Sequence, residues 1–173
     1  MLVNGAAGGV GTFAVQLAKA FGAQVTGVCS TGNTDLVRSI GADAVVDYTR
    51  EDFTWDGRRY DLIVDLAGTR RPSEIRRVLT PKGVLVGVGG PNNGNWVGPF
   101  VGPARMLLQS MVVSQTMGFM LAHQSRDDLA ILRLLGSALV TPVIDRMYPL
   151  GDVPEAIRYL EAGHARGKVV ITI

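Results

Sequence analysis

Asn4-Gly5-Ala6-Ala7-Gly8-Gly9-Val10-Gly11 is the stretch whose reading decides the fold. Before it stand Met1, Leu2 and Val3, the apolar tail of a buried strand. After it, Val10, Phe13, Ala14, Leu17, Ala18 and Phe21 recur at i, i+3, i+4, i+7, i+8 and i+11. That spacing predicts a helix over residues 9–22, its apolar face laid on a sheet and its end closed by Gly22 as a left-handed cap. A glycine-rich turn between strand and helix suits one chemistry well. A pyrophosphate needs bare backbone amides and the partial positive charge of a helix N-terminus, with no side chains in the way. Gly8 and Gly9 permit that approach, and Gly11 lets the helix lie close on the sheet, while Ala6 takes the first glycine position of the usual G-x-G-x-x-G. Such turns also occur for packing alone, so the surroundings of the loop must decide.

The surroundings agree with nucleotide binding. Gln24 to Cys29 has the β-branched content of a strand, and Asn33 or Thr34 can cap a short helix bearing Leu36, Val37 and Ile40, ended by Gly41. Ala44–Asp47, Tyr60–Leu66 and Gly83–Val88 read as strands, the last two nearly continuous in apolar residues, as strands covered on both faces require. Pro72 to Leu79 is a helix between them. The alternation predicts an α/β, Rossmann-like, doubly wound parallel sheet with helices on both faces. Residues 89–100 form a Gly/Asn/Pro loop long enough to cover a site, followed by a helix near 103–113 and a strand near 116–121. Ser125 with Asp128 starts a helix carrying Leu129, Leu132, Gly136 and Leu139; Asp152 with Glu155 starts another, with Val153, Ala156, Ile157 and Leu160 on one face. Val143–Tyr148 and Lys168–Ile173 are two further strands.

Composition narrows the function. The 173 residues are 47% hydrophobic and 18% charged, a globular balance, and the net charge of +2 gives no reason to expect nucleic acid or an anionic membrane as partner. Cys29 alone allows no internal disulfide, and with His123 and His164 the only histidines, no metal cluster assembles by spacing. The apolar run from Val101 to Ala122 is broken by Pro103, Arg105, Gln109 and Gln115, so it is not read as a membrane span. A cytoplasmic protein is expected. Met1–Val3 is short for a central strand: either the chain starts inside an element or the first strand is short.

The end of the second strand selects the nucleotide. NAD-specific folds place an acid there, about 20 residues after the loop, to hold the ribose 2′-hydroxyl. This chain has Val28-Cys29-Ser30-Thr31-Gly32-Asn33, with no carboxylate to repel a 2′-phosphate and with Ser30, Thr31 and Asn33 able to donate to one. The same residues also make an ordinary helix cap. Arg38 is the only cation nearby in this stretch.

The string Val3–Lys19, with Ser39-Ile40-Gly41-Ala42-Asp43, Val46-Asp47-Tyr48 and the closing Ala165-Arg166-Gly167-Lys168-Val169-Val170-Ile171, is similar to the medium-chain dehydrogenase/reductase superfamily. Within it the chain resembles the zinc-independent, NADPH-dependent quinone oxidoreductase branch, over essentially all its residues. The resemblance implies a Rossmann domain at 1–141 and, at 142–173, the C-terminal strands of a GroES-like catalytic domain whose N-terminal portion is not in these residues. Those strands are then expected to show unpaired edges. Gly8, Gly9 and Val10 would meet the pyrophosphate, and Ser30, Asn33 and Tyr48 the 2′-phosphate. Gly89, Gly90, Phe119, Met120 and Leu121 would lie along the nicotinamide, with Lys168 closing over the cofactor. Relatives often carry a basic residue beside Asn33, where this chain has Gly32. The strand near 116–121 would pair edge to edge in a homodimer, with Met106, Met111, Met117 and Met120 available to pack there.

The implied reaction is hydride transfer from NADPH to a quinone or enone-type carbonyl acceptor, with no acid–base residue named in this chain. The isolated chain is expected to bind NADPH with little or no turnover. The alternative is a non-catalytic module that binds nucleotide or a partner. Two rivals fail. Short-chain dehydrogenases need a lysine four residues after a tyrosine, but Tyr48, Tyr60, Tyr148 and Tyr159 are followed at that distance by Asp52, Val64, Asp152 and Gly163. A P-loop needs Gly-Lys-Ser/Thr after its glycines.

Overall fold

Leu2 and Val3 point to opposite faces of strand β1 (Leu2–Asn4), and both are fully buried. A strand buried on both faces must be central, with helices on either side. The computed structural model describes residues 1–88, 114–120, 125–136, 139–163 and 165–173. Around β1 it builds a six-stranded, wholly parallel sheet from β2 (Thr26–Cys29), β3 (Ala44–Asp47), β4 (Tyr60–Asp65), β5 (Leu79–Gly87) and β6 (Thr116–Phe119), in the order β3-β2-β1-β4-β5-β6. That is the doubly wound order of a dinucleotide-binding sheet.

Each face has its own core. Val3, Cys29 and Val25 lie with Val15 of helix α1 (Gly11–Ala20) and Val37 of α2 (Thr34–Ser39). Leu2, Val28, Ile63 and Leu85 lie on the other side with Ile75 of α3 (Pro72–Arg77). The period-two alternation thus feeds two cores at once.

Helix α1 corrects the sequence reading. The expected face of Val10, Phe13, Ala14, Leu17, Ala18 and Phe21 is only partly the one on the sheet: Ala18 is buried and Ala14 packs against the core, but Val10 is 53% and Phe21 75% exposed, whereas Gly11, Thr12 and Val15, outside that face, are buried. A Cβ on Gly11 would overlap the Gly5 carbonyl oxygen and the Ala6 backbone, so the helix approaches the β1 turn through residue 11. The face that continues from there, at i+4 and i+7, holds Val15 and Ala18, small enough for close packing. Gly22 is the left-handed cap expected, at φ +77°, with Gly22 N donating to Lys19 O and Ala23 N to Ala18 O.

Smaller differences have local causes. β2 starts two residues after Gln24, and β5 starts at Leu79, not Gly83. Tyr60 pairs with Leu79 and Leu62 with Val84, so Thr80–Gly83 bulge against the single residue Asp61. Neither Asn33 nor Thr34 caps α2 with its side chain: Asn33 Nδ2 donates to Ser30 Oγ at 3.1 Å and Thr34 Oγ1 to Thr31 O at 3.1 Å. Ser125 does cap helix α4 (Arg126–Gly136), accepting from Asp128 N at 3.2 Å. Asp152 does not cap α5 (Val153–Glu161), because a 3₁₀ turn at Leu150–Asp152 already leads into that helix. The expected helix near 103–113 and the loop at 89–100 lie outside the described residues.

After α4 the chain forms a separate unit, β7 (Ile144–Pro149), α5 and β8 (Lys168–Thr172). The two strands pair in parallel with each other and with no other described strand, leaving the unpaired edges expected. Ile144, Met147, Ile157 and Leu160 of this unit are exposed, so the apolar face expected of α5 is covered only at Ala156. The unit is clamped to α1 by Gln16, whose Nε2 donates to Thr141 O at 2.9 Å and whose Oε1 accepts from Thr141 N at 2.8 Å. Among the described residues no helix is long and apolar enough to cross a membrane.

The orientation of α1 is directly testable. Val15→Ala should cost about 2 kcal/mol of unfolding free energy, whereas Phe21→Ser should stay within about 0.5 kcal/mol of the parent in urea titrations. The opposite ranking would restore the face read from the spacing.

Candidate functional site

The six strands end, in sheet order, at Asp47, Cys29, Asn4, Asp65, Gly87 and Phe119, which mark the carboxyl edge of the sheet. Chain winding reverses between β1 and β4, and ligands of open α/β sheets bind outside the strand ends at such a switch point. A cavity of about 910 Å³ opens there. One wall is the loop Gly5–Gly11; another is Val28, Cys29, Ser30, Gly32 and Asn33, with Tyr48 beyond. Leu66, Ala67, Thr69, Arg70 and Val88 face them from the segments just after β4 and β5, and Gly163, Ala165 and Arg166 reach over from the β7–β8 unit.

The β1–α1 loop presents donors to this space. Gly8 N donates to Gly5 O and Thr12 N to Gly8 O, while the amides of Gly9, Val10 and Gly11 meet no protein acceptor among the described residues. These are the unsatisfied N–H groups of a helix start, suited to an anion. Gly9 has a second reason to be bare: a Cβ there would lie 2.9 Å from Gly167 O and 3.2 Å from Lys168 Nζ. Gly167 N donates to Ala7 O at 2.9 Å, so the C-terminal unit is fastened to the back of the loop.

Asp65, 5% exposed, fixes the floor. Its Oδ1 accepts from Asn4 Nδ2 at 2.8 Å and Gly68 N at 2.9 Å, tying the loop after β1 to the loop after β4. Asp47, at the end of β3, is occupied by its neighbours. Thr31 Oγ1 donates to Oδ2 at 2.6 Å, Thr49 N and Oγ1 donate to Oδ1, and the Thr31 hydroxyl leads in holding the carboxyl below its ordinary value. Thr31, expected as a donor to a ligand phosphate, is thereby committed to Asp47 and lines no part of the cavity. Asn33 Oδ1 is buried without a partner. Cys29 lines the cavity as a thiol, pushed up to about 11 by burial and then by Asp47, which excludes a thiolate nucleophile at neutral pH.

Of the residues expected at the site, Gly8, Gly9, Val10, Ser30, Asn33 and Tyr48 line this one cavity. Phe119 and Met120 sit at the carboxyl end of β6, two strands away from β4, with Met120 N donating to Gly87 O. Lys168 lies beside the loop over the Phe13 ring, its Nζ 5.6 Å from the ring centroid, and does not line the cavity. Gly89, Gly90, Leu121, His123 and His164 fall outside the described residues. The sequence reading gave no site role to Asn4, Asp65, Arg70 or Arg166: Asn4 and Arg166 stand within quoted strings, but nothing local marks any of the four as facing a cavity. Arg38, its nearest cation, pairs with Asp35 at 3.2 Å and lines no part of the cavity. Among the described residues no group of three or more His, Cys, Asp or Glu could hold a metal ion.

Comparison with known proteins adds the ancestry. The zinc-binding dehydrogenase family matches residues 40–171. The chain belongs to the medium-chain dehydrogenase/reductase superfamily. Within that superfamily it falls in the zinc-independent, quinone oxidoreductase-like branch. It is 35% identical over 99% of its length to a mouse protein named mitochondrial NAD(P)H oxidoreductase RTN4IP1, covering 47% of that protein. It is 28% identical over its whole length to the trans-enoyl reductase pgmF of Aspergillus terreus, covering 51% of it. The quinone oxidoreductase structure from Coxiella burnetii superposes with a TM-score of 0.83 at 27% identity, over 99% of this chain and 52% of that one. The chain thus spans about half the length of the superfamily members it matches.

The β7–β8 unit carries a pH-sensitive anchor. Burial pushes the Asp145 carboxyl up, but the Tyr159 hydroxyl at 2.6 Å, the Arg166 amide at 2.9 Å and the charges of Arg146 and Arg166 outweigh it, so its value is lowered. A depressed folded value contributes stability above the unfolded value of about 3.9, lost as pH falls through the folded value. Tyr159→Phe removes the strongest of the lowering contacts, so its acid-unfolding midpoint should move to higher pH by circular dichroism. An unchanged midpoint would mean that the hydroxyl does not hold the carboxylate.

Proposed function

We propose that this chain is the nucleotide-binding half of an NADPH-dependent oxidoreductase that passes hydride to a quinone or enone-type carbonyl acceptor. One observation carries the cofactor choice: among the described residues the switch-point cavity is lined by two arginines and no carboxylate. A 2′-hydroxyl reader would need an acid at the end of β2. The nearest such group, Asp47, spends both oxygens on Thr31 and Thr49. The room left by Gly8 and Gly9 and the unsatisfied amides of Gly9 and Val10 fit a pyrophosphate, and the buried, unpartnered Asn33 oxygen marks an incomplete polar site further along the wall.

Bound there, the nicotinamide ring supplies the hydride, and the protein supplies position and exclusion of water. Gly9 and Val10 hold the phosphates through their amides. Ser30 and Tyr48 flank the adenosine end, and Asp65 keeps the two loops at a fixed separation through Asn4 and Gly68. Gly89, Gly90, Phe119, Met120 and Leu121 are proposed to border the ring, with Lys168 closing beside the loop. The name of the mouse relative supports an NAD(P)H-dependent oxidoreductase, and those of the fungal and Coxiella relatives, an enoyl reductase and a quinone oxidoreductase, support the class of acceptor.

Residues 1–141 then form the nucleotide-binding domain, and 142–173 belong to the catalytic domain, consistent with the separate β7–β8 sheet and its exposed apolar side chains. The test is a titration of the chain with NADPH and NADH, followed by nicotinamide fluorescence and by absorbance with a quinone present. NADPH should bind at least about tenfold tighter than NADH, with little or no quinone-dependent oxidation. Equal binding would overturn the cofactor choice, and rapid oxidation would overturn the division of labour.

A homodimer through β6, one of the two outer strands of the described sheet, is part of the same proposal. An added strand satisfies the outward row of backbone groups, and a Cβ on Gly118 would meet nothing within 4 Å. Sedimentation equilibrium should return twice the chain mass for the parent and a single mass for Gly118→Pro. A parent that stays monomeric at high concentration would exclude this interface.

A further inference from the structure

We propose that Arg166, carried by the turn before β8, is the cation that reads the 2′-phosphate, standing over Gly32 where the β2 turn itself has no basic side chain. This inference rests on the NADPH reading above and names the residue that carries it.

The observation is one of placement. Among the described residues other than its two chain neighbours, a Cβ on Gly32 would meet only Arg166 Nη2 within 4 Å, at 3.7 Å. Arg166 lines the same cavity as Ser30, Asn33 and Tyr48, although 134 positions separate it from Gly32 (166 − 32). The backbone of Arg166 is held by Asp145, whose Oδ2 accepts its amide at 2.9 Å and the Tyr159 hydroxyl at 2.6 Å. Gly167 is tied in turn to Ala7 O. The guanidinium therefore hangs from a backbone fixed on both sides.

Charge accounting singles out the same residue. The cavity has two arginines in its lining. Arg70 is taken by Asp52 at 3.0 Å. Arg166 has no carboxylate within salt-bridge distance among the described residues; Asp145 hydrogen-bonds its amide and meets its guanidinium only as a more distant charge. A guanidinium offers a planar fork of donors matched to phosphate oxygens, and Ser30 and Tyr48 add hydroxyls around it. Gly32 leaves the space for that fork: a long side chain there would compete with the guanidinium for the same volume.

The test compares the full chain with Arg166→Gln and Arg166→Lys, measuring Kd for NADPH and for NADH by fluorescence and the melting temperature of each apo protein. Arg166→Gln should weaken NADPH by about 10- to 100-fold, leave NADH within about twofold, and flatten the salt dependence of NADPH binding. Arg166→Lys, which keeps the charge, should retain part of the preference. If the parent favours NADPH and Arg166→Gln weakens neither cofactor, or weakens both equally, the inference fails and the cofactor reading stands. If the parent shows no preference for NADPH, the cofactor reading fails and takes the inference with it.

Discussion

A side chain at residue 11 would occupy the space of the Gly5 carbonyl oxygen and the Ala6 backbone, and the molecule is arranged around that short distance. Because residue 11 can come so close, α1 begins directly beneath the end of β1 and turns its Gly11–Val15–Ala18 side to the sheet. The same economy recurs at Gly27, where a Cβ would run into Val37 of α2 and approach Ala6. The core on this face is accordingly built of alanine, valine and cysteine, and its helices lie close to the strands. Close approach at the start of α1 also aims its first unsatisfied amides into the cavity. Close packing and the exposure of those amides are two results of one missing side chain.

Much of this was legible before any coordinates. The glycine loop, the helix after it and its Gly22 cap are local patterns, and alternating buried runs such as Tyr60–Asp65 impose a parallel sheet whatever their partners. The orientation of α1 was not legible. Periodicity reports that an apolar stripe exists, and a stripe as wide as the one from Val10 to Phe21 contains more than one candidate face. A backbone contact, invisible to a hydrophobic pattern, chose among them. Two of the expected helix caps failed for a related reason: Asn33 had a nearer partner in Ser30, and Asp152 was pre-empted by the turn in front of it.

The site divides in the same way. Gly8, Gly9, Val10, Ser30, Asn33 and Tyr48 come from segments whose motifs could be read in isolation, and the sheet order brings them to one cavity. The residues that finish the cavity come from pairings across long stretches of chain: Asn4 with Asp65, Gln16 with Thr141, Ala7 with Gly167. A stretch read alone as poor in positive charge is flanked in space by Arg166, and a threonine read as a free donor is spent on Asp47. Spacing along the chain carries no trace of either.

The bond from Gly167 to Ala7 also sets an order of events during synthesis. Segments emerge from the ribosome in sequence, and neighbouring strand–helix–strand pieces can pair as they appear. The segment fastened to the back of the glycine loop is made more than a hundred residues after the loop itself. Until residues 141–168 arrive, the loop lacks both the Thr141 clamp and the Gly167 bond, so nucleotide meets a half-built cavity. Ligand that binds only the finished form stabilises only the finished form. A ligand that bound this cavity would therefore act on the docking of residues 141–168, which bring Ala165 and Arg166 to its wall.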